Sequence, residues 1–441
     1  MNWWYLLACG AYTVAIIAWA YLLNRKHSAA AYMKYPGGLD AFTFALTTFA
    51  TGWGPFNMIV GFAIAYICGF WYLLLLVGFG MSHIALYFIY KYKFQQLQEG
   101  RLLLSLGDTF IAERFKSTGY LINVVQCALL VVMITIQIST NTTLLTRLTN
   151  APAWIILLVT VVTMSFYIYY GGFKAVVDTD IPQGFLTFFV LVVVFFASPI
   201  EGNIASSQAV YVNQFWFGMG LAIMQFLTYT PNPANIERVL DTMNERELKW
   251  GLIGSYAMSC VLASIILYTG LIMRSNATSE ALDVFITMVE AFPTLYVGML
   301  LIGMCAAFMS TVDSLAHVFG STIANVTAQT LEGKRCVTRW CSMSVIIVAT
   351  ILALRVPDLM RSLLSVYPVA ALIGVVFVID LIGKPKAWQM NTLLVLGISV
   401  HLANLKFAPF GGTPMAALTC VWVAIALYAL MRACAHLRFK R

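Results

Sequence analysis

Charge is what this sequence has least of. Asp, Glu, Lys and Arg make up only 10% of its 441 residues, against about 25% in an ordinary soluble domain, while 61% are apolar. So little charge cannot cover a water-facing surface, which excludes a soluble globular protein. Acidic groups are the scarcer sign, 18 against 26 Lys and Arg, for a net charge of +8. Histidines number five, scattered at positions 27, 83, 317, 401 and 436. No HExxH or GxSxG pattern places a metal pair or a nucleophile on one element, so the expectation is that the protein is not an enzyme. The nine cysteines lie mostly inside apolar runs with no framework spacing, and they read as small packing residues, not as a disulfide or zinc scaffold. No polar connector has the length or the alternating strands and helices of a soluble domain.

What is present instead is a succession of apolar runs, each near the roughly 20 residues that cross about 30 Å of hydrocarbon as a helix. Thirteen fall near residues 3–23, 41–66, 70–92, 118–146, 152–170, 181–199, 210–230, 249–273, 288–328, 340–354, 362–381, 387–405 and 413–433. The expected fold is an all-α integral membrane protein. Arg25 and Lys26 directly follow the first run and no basic residue precedes it, the reverse of a cleavable signal, which places the N-terminus outside and the C-terminus in the cytoplasm. Alternating sides from there puts 21 Lys and Arg, Arg238 among them, in inner loops and 5 outside. That asymmetry assigns the positive charge to membrane topology, not to a nucleic-acid partner. The longest inner loop, "KYKFQQLQEGRLLLSLGDTFIAERFKS", is either an amphipathic surface segment or a plain connector.

Two runs are interrupted. "FALTTFATGWGPFNMIVGFAIAY" gathers Gly52, Gly54 and Pro55 at mid-span, and "MQFLTYTPNPANIERVL" carries Pro231 and Pro233. Proline removes an amide and clashes with the preceding turn, so both helices should unwind there. Each opens a set of five spans, the pattern of an inverted-repeat transporter with its site at midplane. The organisation expected is one extra helix at 1–24, a ten-helix core at 41–381 with halves 41–200 and 210–381, and two helices at 387–434. Carbonyls freed beside Thr51 to Gly54 cannot stay unpaired in hydrocarbon, and a cation would satisfy them.

A polar stripe runs along "AAFMSTVDSLAHVFGSTIAN", where Ala307, Ser310, Thr311 and Ser314 share one helix face. Hydroxyls there either ligate a hard monovalent ion or bond back to carbonyls of their own helix. Asp313 at mid-membrane is costly unless paired and marks an ion path by default. His317 and His83 read as hydrogen-bonded structural histidines before proton relays.

The stretch around "MSTVDS" resembles the corresponding helix of the sodium:solute symporter family. "YYGGFKAVVDTDIPQG", "NPANIERVLDTMNERELKWG" and "TGWGPFNMIVGFAIAY" resemble three further segments of that family in order and spacing, over about residues 41 to 382. The resemblance implies a LeuT-type 5+5 inverted-repeat core and uptake of a small organic solute driven by Na+. Carried over residue by residue, sodium ligands fall at the carbonyls of Thr51, Gly54 and Ala307 and the hydroxyls of Ser310 and Thr311. Asp180, Asp313 and Ser314 match a second cation site that some members use. Solute-binding positions match Trp53, Met58, Gln137, Gln225, Thr228 and Tyr229. Met58 stands where sugar-transporting relatives have a hydrogen-bonding amide, so a sugar is disfavoured and the lean is toward a small amino acid or carboxylate, while the bulky Trp53, at a position that is often small, counts against intact transport. The expected setting is a bacterial inner membrane. Two other functions suit the same fold: a non-transporting sensor acting through a protein partner, and a proton-coupled carrier using Asp313 and His317.

Overall fold

The computed structural model describes residues 3–24, 28–98, 103–113, 115–197, 212–273, 281–290, 292–355, 359–383, 385–407 and 414–439. The link between the expected halves, 200–210, lies outside them, as do Arg25, Lys26, Arg101, Arg114, Arg274, Lys384, Lys440 and Arg441. Each of the thirteen apolar runs falls on a helix. Eight helices are long and apolar enough to cross a membrane, and among the described residues the only β pairing is an isolated bridge between Leu39 and Thr242. The outward surface is apolar, with Trp4, Phe196 and Ile382 about four-fifths exposed (77%, 79% and 81%), as a lipid-facing surface should be.

Helix α1 is Trp3–Asn24, followed by the first broken pair, α2 (Ala41–Gly52) and α3 (Pro55–Cys68). The break lies where glycine and proline place it. Trp53 leaves helical geometry at φ −114°, ψ 51°, and Pro55 occupies the first turn of α3, where a missing amide costs nothing. Then come α4 (Leu73–Ile89), α5 (Lys116–Thr149) and α6 (Ala153–Ala197). The second broken pair is α7 (Val212–Tyr229) and α8 (Pro233–Leu240). Asn232 caps α8 by accepting from the Ala234 amide at 3.0 Å, with Pro233 in its first turn. The remaining helices of ten residues or more are α9 (Glu245–Met273), α10 (Ala281–Glu290), α11 (Thr294–Thr327), α12 (Leu331–Ala353), α13 (Leu359–Gly383), α14 (Ala387–Phe407) and α15 (Thr419–Phe439).

The runs at 152–170 and 181–199 join in α6, which bends back on itself at one residue. Gly172 has φ +68°, ψ −175°, a geometry that glycine adopts without penalty. The Tyr167 hydroxyl meets that of Thr179, twelve residues on, whereas a straight helix would hold them about 18 Å apart. The Tyr32 ring fills the inside of the bend, so that a Cβ on Gly172 would lie 2.4 Å from it. The run at 288–328 resolves into α10 and α11.

Helix α11 is the axis of the molecule. It packs on α2, α5, α6 and α12, and its polar residues Ser310, Thr311, Asp313, Ser314 and His317 are all buried. The segment before α2 is fastened to the loop after α8. Leu39 N–H donates to Asp241 O at 2.8 Å, Met243 N–H to Leu39 O at 3.1 Å, and Tyr35 N–H to the Asp241 carboxylate at 2.6 Å. Lys34 lies 3.9 Å from the same carboxylate.

Candidate functional site

The break between α2 and α3 lies against α11. Thr311 Oγ1 is 2.9 Å from Ala307 O and 3.2 Å from Thr51 O, so its single proton is shared between the helix's own carbonyl and one freed by the break. Gly54 supplies close approach: a Cβ there would stand 2.7 Å from Thr311 Oγ1 and 2.8 Å from the Gln137 amide. Thr51, Gly54, Ala307 and Thr311 are therefore together. Ser310 belongs to the same stripe, but its hydroxyl donates to Asp180 Oδ1 at 2.5 Å and not to the Thr51 carbonyl.

Asp180 and Ser314, paired in the sequence reading, also come together, and the positive charge between them is the protein's own. Arg238, assigned to an inner loop by topology, is completely buried. Its Nη2 donates to Asp180 Oδ2 at 2.9 Å, Ser314 Oγ at 2.7 Å and Thr51 Oγ1 at 2.7 Å. Nε donates to Thr47 Oγ1 at 2.9 Å, and Nη1 to Ala234 O at 3.0 Å. Thr47 in turn bonds Asp180. The guanidinium thus spends its fork on one carboxylate, three hydroxyls and a carbonyl, the satisfaction a buried charge requires. The short helix α8 makes this possible, because its start at Pro233 turns Arg238 toward α2 and α6.

Asp313 does not join that group. It is fully buried, and its carboxyl faces the Tyr167 hydroxyl and the Ser314 amide. One turn on, His317 Nε2 lies 3.4 Å from Glu237 Oε1 between the rings of Tyr32 and Phe173. His83 bonds Phe79 O through Nδ1 at 2.9 Å and stacks on Tyr229 with ring centres 5.1 Å apart, a structural role.

On the other side of the break is a cavity of about 140 Å³. Trp53, Gln137, Gln225, Thr228 and Tyr229 line it, as expected of solute-binding positions. Met58 is buried but is not part of the lining. Thr51 and Thr311 form part of the wall, so the carbonyl cluster and the cavity share residues. The Trp53 indole donates to Ser259 Oγ of α9 at 2.9 Å, which fixes its ring. Gln137 Oε1 accepts from the Phe56 amide at 3.2 Å and so caps α3.

Sequence reasoning missed several lining residues. Asn57 bridges the break, donating to Gly52 O at 2.8 Å and accepting from the Tyr367 hydroxyl at 3.1 Å; Gln126 donates to Pro231 O at 3.2 Å. An amide two residues after a mid-span proline was a usable signal for Asn57. Tyr367 comes from α13, distant in sequence, and nothing local marked it. Among the described residues no group of three or more His, Cys, Asp or Glu side chains converges as a metal site.

No family model matches the chain, and no curated protein matches it by sequence. Solved structures do match it by shape. One of them is described as the substrate-bound outward-open state of a Na+-coupled sialic acid symporter, with a TM-score of 0.77 over 96% of both chains at 13% identity. The chain is similar to that symporter in fold.

Proposed function

We propose that the protein is a sodium-coupled secondary active symporter of the sodium:solute symporter type, importing a small organic solute. The observation that carries this reading is the meeting of the Thr51 and Ala307 carbonyls at the Thr311 hydroxyl, on the wall of a partly open cavity between two broken helices. A hard monovalent cation takes oxygen ligands, and an interrupted helix in hydrocarbon has carbonyls to give. The same reading takes Gly54 O and Ser310 Oγ as the remaining ligands, with Ser310 turning from Asp180 to do so. It includes a LeuT-type 5+5 core at 41–381, thirteen crossings, an outside N-terminus and residence in a bacterial inner membrane.

Arg238 narrows the reading to one of the two candidate cation sites. A second cation at Asp180 and Ser314 would have to displace a guanidinium that already makes five hydrogen bonds. The sodium of this reading therefore sits at Thr51, Ala307 and Thr311. The test is uptake of pooled labelled metabolites into proteoliposomes under an inward sodium gradient. Accumulation that disappears when choline replaces sodium supports the symporter, and binding without accumulation would leave a sensor.

A second reading has its own observation. The buried carboxyl of Asp313, met only by the neutral Tyr167 hydroxyl and Ser314 amide, and the neighbouring His317–Glu237 pair suit a proton as the coupling ion. Uptake that survives choline at fixed pH and collapses when the proton gradient is dissipated would favour it.

A further inference from the structure

The cavity has walls but no charge. Among its described lining residues none is Asp, Glu, Lys, Arg or His. The charges of the core stand behind the wall and are occupied with one another: Asp180 is answered by Arg238 at 2.9 Å, and Glu237 faces His317 at 3.4 Å. An ammonium would find no carboxylate and a carboxylate no cationic side chain, its one counter-charge being the ion read at Thr51 and Thr311, and a charge left unpaired in low dielectric costs several kcal/mol.

A helix N-terminus is the other way to hold an anion, and here the leading amides of both candidates are already spent or missing. Helix α3 begins with Pro55, which has no amide hydrogen. The Phe56 amide is taken by Gln137 at 3.2 Å, and the Met58 amide returns to Gly54 O at 3.1 Å. Helix α8 begins with Pro233, and the Ala234 amide is taken by Asn232 at 3.0 Å.

What the wall offers is unspent amide and hydroxyl capacity beside aromatic rings. Gln137 spends its oxygen on Phe56 and keeps its NH2. Gln126 spends its NH2 on Pro231, and its buried oxygen has no donor. The buried Tyr72 hydroxyl likewise lacks a partner. Gln225, on the wall, has both ends of its amide to give. Trp53, Phe79 and Tyr229 supply rings around them. A group of buried donors and acceptors left open in this way discriminates strongly against a solute that cannot meet them.

We propose that the solute is an uncharged, planar molecule bearing amide-type N–H and C=O edges, such as a carboxamide, a lactam or a nucleobase-like ring, and not an amino acid or carboxylate. This replaces the lean drawn from the sequence, and it rests on the reading of the cavity as the transport site. The aromatic rings take the faces of the ring, and Gln137, Gln225 and Gln126 take its edges.

The test uses matched neutral and anionic probes: nicotinamide with nicotinate, uracil with orotate, and 2-pyrrolidone with pyroglutamate. Calorimetric titration of the purified full-length protein is run in sodium chloride and again in choline chloride. At least one neutral member is expected to bind at least about tenfold tighter than its anionic counterpart, a difference of ~1.4 kcal/mol. Gln225→Leu and, separately, Gln137→Leu should each weaken that binding about tenfold, while Gln225→Lys should turn the preference toward the anion. Tighter binding of an anionic member in either salt would overturn the proposal, and in sodium alone it would assign the missing positive charge to the ion. Failure of every neutral probe to bind, or unchanged affinity in both Leu variants, would also overturn it. Neutral-probe binding that ignores sodium removes the symporter reading and leaves the solute class standing; sodium-driven uptake of a carboxylate does the converse.

Discussion

Arg238 Nη2 lies 2.9 Å from Asp180 Oδ2, and neither side chain is exposed. In such a pair each charge is the other's main compensation. Removing one leaves the survivor buried and uncompensated, at a cost of about 3–5 kcal/mol. The pair also stands where α2, α6, α8 and α11 meet, since Thr47, Thr51 and Ser314 all bond the same guanidinium.

Arg238→Met should expose this relationship. The variant keeps the stem and loses the charge, so Asp180 and the hydroxyls of Thr47, Ser310 and Ser314 become an oxygen cage without a cation. Thermal stability in choline chloride is expected to fall steeply. Sodium chloride should restore it more than it stabilises the parent, and uptake in the variant should depend on sodium more steeply. Equal instability of Arg238→Met in the two salts would show that the site cannot hold a free ion.

Thr311 and Ser310 are expected to separate. Thr311 Oγ1 touches both carbonyls of the cluster, whereas Ser310 Oγ is engaged with Asp180. Thr311→Ala should therefore raise the sodium concentration for half-maximal uptake by at least about tenfold, the equivalent of ~1.4 kcal/mol of ligand free energy. Ser310→Ala should have the smaller effect on sodium and the larger one on stability. The measurement is initial uptake rate against sodium at constant ionic strength, and the reverse ranking would move the ion toward Asp180.

How far these relationships were legible in the sequence depends on their range. Proline and glycine act locally, so the breaks at Trp53 and before Pro233 could be read directly, as could the face shared by Ala307, Ser310, Thr311 and Ser314. Arg238 shows the limit. A positive residue near a span end is ordinarily solvated, and only the packing of α8 against α2 and α11 reveals that this one points inward. The bend at Gly172 is similar: a glycine pair was visible, but not that the Tyr32 ring would close the angle. The cavity's neutrality is a property of the assembled wall and of no single segment.

Asp241 should give stability a pH slope. It sits in the loop after α8, fastened to Tyr35 N–H, and burial pushes its carboxyl up to about 7 against the pull of Tyr35 and Lys34. The folded protein thus holds a proton that the unfolded chain releases near the ordinary carboxylate value, so this contribution is present at low pH and is lost as pH rises toward about 7. Melting temperature is measured from pH 5 to 8 for the parent and Asp241→Asn. The variant keeps a neutral side chain at every pH, so the parent should lose ground to it up to about pH 7 and then run parallel. Parallel curves throughout would mean that Asp241 is ionised across the range.

Trp53 is held by Ser259, with Nε1 donating to the hydroxyl at 2.9 Å, and the indole walls the cavity. Ser259→Ala removes the acceptor and leaves a buried N–H unpaired, a loss of about 1–3 kcal/mol, while the ring loses its orientation. Trp53→Phe keeps a smaller ring with no N–H to satisfy. If Trp53 orients solute, both variants should weaken solute binding several-fold with little change in sodium requirement, and Trp53→Ala more so, because the ring face is lost as well. If the indole only packs α3 against α9, Ser259→Ala and Trp53→Phe should lower thermal stability with solute affinity intact. Titration of one solute at saturating sodium, paired with melting curves of the same samples, separates the two roles.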